Sequence, residues 1–153
     1  MIIRTPCHAD IESLVDMGAC MHAESAYAFL PYDRAKVRQF IEDYIEDTTN
    51  RCGLVAEHEG RVIAMLFGYL GDYLFCDERL AVDEIVFVDP DHRGGMTAVR
   101  LIRRFQRWAS ERGARELCLG VSTNTHPQST GQLYQRLGFK PVGGIYKLRL
   151  NDR

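Results

Sequence analysis

The segment Val88-Asp89-Pro90-Asp91-His92-Arg93-Gly94-Gly95 carries the first chemical signal in the chain. A strand that ends at a proline, followed by a Gly-Gly pair and a helix, leaves several backbone N–H groups without partners. With the positive end of the helix dipole, such groups suit an anion of the pyrophosphate kind, and glycine lets the main chain approach it with no Cβ in the way. A bare turn before a helix carries the same residues, so this segment alone does not decide. Just upstream, Asp83 and Glu84 interrupt the otherwise apolar run from Leu80 to Val88. A carboxylate in such a strand is costly unless it has a task, and strand alternation sends the two to opposite faces, so only one looks into a given cleft. Other chemistries lack their clusters. Cys7, Cys20, Cys52, Cys76 and Cys118 are odd in number and scattered, which reads as reduced packing thiols. His8, His22, His58, His92 and His126 lack metal-ligand spacing, so no metal is expected.

The elements that must position these groups follow from apolar spacing. Met1 to Arg4 reads as a short strand, Ile11, Leu14, Val15 and Ala19 as the face of a first helix, and Val37, Phe40, Ile41, Tyr44 and Ile45 as that of a second, begun after Asp33. Gly53 to Glu57 and Val62 to Leu70 form two strands around the hairpin-like His58-Glu59-Gly60-Arg61, and Leu80 to Val88 a third. Leu101, Ile102, Phe105, Trp108 and Ala109 then share one side of a helix over Val99–Arg112, with Arg100, Arg103, Arg104 and Arg107 opposite. Glu116 to Val121 reads as a strand, Thr130 to Leu137 as a helix stopped by Gly138, and Pro141 to Leu150 as terminal strand broken at Gly143-Gly144. This order predicts an α/β (mixed α+β) fold, a mixed sheet covered by helices, in one domain spanning residues 1–153. A net charge of -2 gives no global pull toward nucleic acid or an anionic membrane. Met1 to Asp10 lacks the basic start and apolar stretch of a signal peptide, and the run Val62–Leu70 is too short to cross a bilayer, so a cytoplasmic protein is expected.

Two motifs together carry a family resemblance. Val88-x-Pro90-x-x-Arg93-Gly94 with its following helix, and the later Leu133-Tyr134-x-x-Leu137-Gly138-Phe139, resemble the signature of the GNAT N-acetyltransferases over nearly the whole chain. The resemblance implies a central, mostly antiparallel mixed sheet flanked by helices, acetyl-CoA as co-substrate, and transfer of its acetyl group to an amine. It implies that the backbone of Val86, Phe87 and Val88 binds the pantetheine arm like an added strand, and that N–H groups from Arg93 through Gly94, Gly95, Met96, Thr97 and Ala98 hold the pyrophosphate. Met96 stands where glycine is usual, so Gly94-Gly95 must supply the flexibility. Tyr134 matches the family tyrosine and is the expected acid for the departing thiolate; a packed core aromatic is the other reading. Glu84 is the expected base, with a water-relayed base as its alternative. Where the family often has asparagine this chain has Pro127, and Asn124, His126 or Ser129 could replace that contact to CoA. No covalent enzyme intermediate is required, because a neutral amine held at the thioester can attack directly.

The segment His22 to Tyr32 resembles the part that lines the acceptor pocket in this family. Glu24 could bind an ammonium there, with Tyr27, Phe29 and Tyr32 as apolar walls or as residues packed on the sheet. A small-molecule amine and a protein amine would look alike to a carboxylate, so the acceptor stays open. A homodimer through the terminal strands is also implied by the resemblance. Two rivals stand beside the enzyme: a fold relative that binds acetyl-CoA without turnover, and a nucleic-acid binder using the arginine stripe, whose charge acidic residues elsewhere cancel.

Overall fold

A computed structural model of the chain describes residues 1–150. Along it follow β1 (Ile2–Arg4), α1 (Ile11–Glu24), α2 (Arg34–Glu46), β2 (Arg51–His58), β3 (Arg61–Asp72), β4 (Arg79–Val88), α3 (Thr97–Glu111), β5 (Glu116–Cys118) and α4 (Pro127–Arg136). The local causes are those the residue types suggest. Asp33 caps α2 by accepting the Lys36 N–H at 3.0 Å. Glu59 (φ 50°) and Gly60 (φ 75°) make the two-residue loop whose twist suits the β2–β3 hairpin.

The sheet order is β1-β2-β3-β4-β5, antiparallel in its first three pairings and parallel in the last. The parallel step needs a crossover, and α3 supplies it. This mixed sheet, flanked by helices on both faces, matches the expected fold class. On one face α1 and α2 bury Leu14, Val15, Ile41 and Tyr44 against Val55, Met65, Phe67 and Phe87. On the other, α3 buries Leu101, Ile102 and Phe105 against Leu54, Ala56, Leu66 and Ala81. Gly68 is what lets α3 sit so low: a Cβ there would lie 2.4 Å from the Phe105 ring and 2.7 Å from the Val82 carbonyl oxygen.

Three expectations are corrected. β5 ends at Cys118 instead of Val121, because its pairing with β4 stops at Val82↔Cys118. Residues 141–150 form no strand: they have no ladder partner, and alternation without a neighbouring strand does not make one. Val142, Ile145, Tyr146, Leu148 and Leu150 are accordingly 65–98% exposed. The cysteines are not all packing thiols, since Cys52 is buried but Cys7, Cys20 and Cys76 are exposed. No helix among the described residues is long and apolar enough to cross a membrane.

The N-terminal end is fastened by charge. The buried Asp10 carboxylate accepts two bonds from Arg4, at 2.7 and 2.9 Å, and the Cys7 N–H at 2.8 Å, joining β1 to the start of α1. The Arg4 guanidinium holds the Asp10 carboxyl down at about 2, against 3.8 in an unconstrained aspartate. A lowered acid stabilises the fold above its unfolded value and loses that contribution as pH falls through the folded one. Asp10→Ala is expected to cost about 2 kcal/mol in urea unfolding at neutral pH. Asp10→Asn should flatten the loss of stability that the wild type shows between about pH 4 and pH 2.

Candidate active site

β4 lies at the centre of the candidate site because its two edges are treated differently. One edge pairs with β3 throughout, from Asp72↔Arg79 to Ala64↔Val88. The other pairs with β5 only at Leu80, Ala81 and Val82. From Asp83 onward β4 and the chain after β5 part, so no strand covers that edge at Val86, Phe87 and Val88, where an extended ligand could add, although the Val88 carbonyl is already taken by the Arg93 guanidinium at 2.9 Å.

The parting coincides with a break in alternation. Phe67 opposes Ile85 and Gly68 opposes Asp83, so Glu84 has no partner and forms a β-bulge. Ala81 packs in the α3 layer, and so do Val86 and Val88, whereas Ile85 and Phe87 pack under α1 and α2. An uninterrupted strand would put Ala81 on the same face as Ile85 and Phe87. The bulge also separates the two carboxylates. Exposed Glu84 accepts the hydroxyl of Tyr44 from α2. Asp83 faces the other way and accepts the Gly120 N–H at 2.8 Å.

Tyr134 is buried at 8% exposure on α4, and its hydroxyl points to the Gly120 carbonyl at 3.4 Å. Burial, with the nearby Asp83 charge, pushes its ionisation well above the ordinary phenol range, so the group is a proton carrier at neutral pH. Asp83 is pushed up to about 6, first by burial, with the Gly120 hydrogen bond opposing the shift. The sequence reading passed over Asp83 in favour of Glu84, yet Asp83 is the carboxylate placed beside Tyr134. The Phe67/Gly68 register break that explains this has a sequence trace only in Gly68.

The expected pyrophosphate loop is a turn at the start of α3. Gly94 has φ +84°, and a Cβ built at Gly94 or Gly95 would meet nothing within 4 Å, so the turn is open to a ligand. Met96, at φ −88°, is accommodated without strain and stands 58% exposed. Thr97 and Ala98 open the helix and supply free N–H groups, although the Thr97 hydroxyl is turned to the Met1 sulfur at 3.2 Å. Arg93 does not extend its side chain toward these N–H groups. Its guanidinium returns to the Val88 carbonyl at 2.9 Å, to Glu24 at 2.5 Å, and over the Phe87 ring.

The acceptor-side residues are drawn into the same region unequally. Glu24, at the end of α1, is already paired with Arg93. Tyr27 accepts from Lys147, and the ammonium lowers its ionisation. Tyr32 belongs to the packing: its hydroxyl donates to the Val15 carbonyl at 2.7 Å, over Gly18, where a Cβ would sit 2.5 Å from the Tyr32 hydroxyl. Asn124 is exposed with φ +58°, in a loop held to the α1–α2 connection by Ala26 N–H to Thr123 carbonyl at 2.8 Å. Ser129 spends its hydroxyl on the His126 carbonyl at 3.0 Å. Among the described residues no group of His, Cys, Asp and Glu is arranged to hold a metal.

The chain has counterparts among known proteins. The acetyltransferase (GNAT) family model matches residues 17–139. The chain belongs to that family. Human N-acetyltransferase 8 is 34% identical over 93 residues, covering 60% of this chain but 40% of that protein. The fold is shared with a transcriptional regulator from Bacillus halodurans C-125, at TM-score 0.79 and 22% identity over 97% of this chain and 99% of that one. It is shared also with the aminoglycoside N-acetyltransferase AAC(6')-Iy in complex with CoA, at TM-score 0.78 and 20% identity over 99% and 95%.

Gly94 is the position where the loop is most sensitive to a side chain. A left-handed conformation costs a non-glycine residue about 1–2 kcal/mol, and Gly94 alone in the turn has it. Gly94→Ala should therefore weaken acetyl-CoA binding about tenfold by calorimetry, with Gly95→Ala closer to wild type.

Proposed function

We propose that the chain transfers the acetyl group of acetyl-CoA to a primary amine by direct attack. The observation that supports this best is the edge of β4 that no strand covers at Val86–Val88, with Tyr134 beside the point where β4 and β5 part. Acetyl-CoA supplies an activated acyl thioester. In the proposed step the amine nitrogen attacks the thioester carbonyl carbon, a C–N bond forms and the C–S bond breaks. Backbone N–H groups of β4 stabilise the charge on the carbonyl oxygen. Tyr134 gives its proton to the departing thiolate, and Glu84 or a water it orders takes the proton released by the amine. Cys118 is not required: burial raises its ionisation, so it is a poor nucleophile at neutral pH.

The acceptor class rests on Glu24. Arg93 bonds the loop that precedes α3 to the carboxylate at the end of α1, so a phosphate drawing on the Arg93 guanidinium would compete with Glu24. A cation would then find Glu24 less occupied. An aminoglycoside acetyltransferase and a ribosomal-protein-alanine N-acetyltransferase from Brucella melitensis biovar Abortus 2308 both share the fold, so a small-molecule and a protein amine stay equally in view. Homodimerisation belongs to the same reading, supported by the uncovered apolar side chains of residues 142–150.

Tyr134→Phe tests the acid directly. The variant is expected to bind acetyl-CoA as wild type does by calorimetry, while thiol release with an amine panel falls about 10²- to 10⁴-fold. Unchanged turnover would remove Tyr134 from the mechanism. A wild type that binds acetyl-CoA and releases no thiol with any amine would favour a non-catalytic binding module.

Sedimentation provides a separate check on the terminal segment. A dimer is expected for the full chain and a monomer after Tyr146→Ser and Leu148→Ser; a monomeric wild type would refute the pairing.

A further inference from the structure

The geometry points to Asp83 as a positioning residue for the acyl-transfer site: its carboxylate bridges the parting of β4 and β5 and, through Gly120, holds the Tyr134 hydroxyl in place. The inference rests on the proposed role of Tyr134 and extends it to a residue two steps away.

The need for a bridge follows from the ladder. Pairing of β4 with β5 stops at Val82↔Cys118, yet Gly120, two residues on, still has an N–H to satisfy. A backbone carbonyl of the parted β4 no longer serves it. The Asp83 side chain does, reaching across to the Gly120 N–H at 2.8 Å. The carbonyl of Gly120 in turn is the acceptor for Tyr134, at 3.4 Å. One glycine therefore takes a carboxylate on its N–H and a phenol on its C=O. The bulge makes this possible, because Asp83 is opposed to Gly68 and faces Gly120, while the displaced Glu84 goes to Tyr44.

The groups facing the Asp83 carboxylate are few. Glu84 adjoins it on β4, Cys118 on β5 and Tyr134 on α4 feel its charge, and β3 places Gly68 opposite it. Both the partner carboxylate and burial favour its neutral form, and the Gly120 bond favours the charged one. With Asp83 ionised, Gly120 is held firmly and the neighbouring negative charge keeps Tyr134 in its phenol form. Protonation weakens the grip on Gly120, as hydrogen bonds to an ionised acceptor are the stronger ones. Tyr134 is then less well fixed. An acid limb near pH 6 in kcat is the consequence.

The sign for stability runs the other way. Asp83 titrates at about 6 in the fold against 3.8 ordinarily, so its contribution is full below 3.8 and lost as pH rises through 6. Asp83→Asn should therefore fold at least as stably as wild type at pH 7.5, and its amide oxygen still accepts the Gly120 N–H.

Nuclear magnetic resonance reads the link without reference to turnover. In the wild type the Gly120 amide and the Tyr134 ring signals are expected to shift together, with the Asp83 carboxyl, at a midpoint near pH 6. In Asp83→Asn both titrations should vanish. Asp83→Ala should lower kcat about tenfold or more with acetyl-CoA affinity retained. Tyr134 signals that do not titrate, or that titrate equally in Asp83→Asn, would overturn the inference. So would an Asp83→Ala variant with wild-type kcat. A coupled titration in a protein that acetylates no amine would support the Asp83–Gly120–Tyr134 link and overturn the catalytic reading instead.

Discussion

The structure depends on one constraint: β4 must stay paired with β3 along its whole length while releasing β5 after Val82. Releasing a parallel neighbour leaves backbone groups unpaired, and unpaired groups persist only where something polar takes them up. The bulge at Glu84 turns that liability into a site. By inserting one residue it reverses which face each later side chain takes, so Val86 and Val88 join the α3 layer and Ile85 and Phe87 the α1–α2 layer. Hydrophobic burial is preserved on both sides of the break. The surplus residue and its neighbour are the two carboxylates, sent to Tyr44 and Gly120.

Much of this was legible in the residues. The hydrophobic spacing of α1, α2 and α3 is strong because each helix buries one face on the sheet, and the Glu59-Gly60 turn has few alternatives. The pairing of the Arg93-Gly94 segment with Leu133-Tyr134 pointed to the family, which the match over residues 17–139 bears out. What sequence patterns report poorly is register. A bulge changes no residue type, so alternation alone gave no sign that Asp83 would lie beside Tyr134. Length of pairing is equally hidden. Glu116–Val121 and Pro141–Leu150 have strand composition, but a strand also needs a partner at the right distance, and only residues 116–118 have one.

Arg93 illustrates a different limit. The expectation concerned its backbone N–H, which in the structure turns to the Pro90 carbonyl at 3.4 Å, while its side chain is committed to Val88, Phe87 and Glu24. Guanidinium geometry explains the choice: five donors in a plane can serve a carbonyl and a carboxylate while the flat face rests on an aromatic ring. The effect is to fasten the end of α1 to the end of β4. Thr123 fastens the next residues, through Ala26, to the loop before α4. The end of α1 and the connection that follows it are thus tied by polar bonds to the segment after β4 and to the loop before α4.

Those ties differ in kind from the contacts that hold the layers together. The two hydrophobic layers hold α1–α2 and α3 to the sheet through fully buried side chains such as Leu14, Phe67, Leu101 and Phe105. Interactions of that kind are insensitive to a ligand's charge. The Arg93–Glu24 pair is partly exposed, at 30% and 28% for the two side chains, and an ion pair in that setting contributes only about 0–1 kcal/mol. The buried layers fix where β4 parts from β5, whereas the ties around that point are polar and partly exposed.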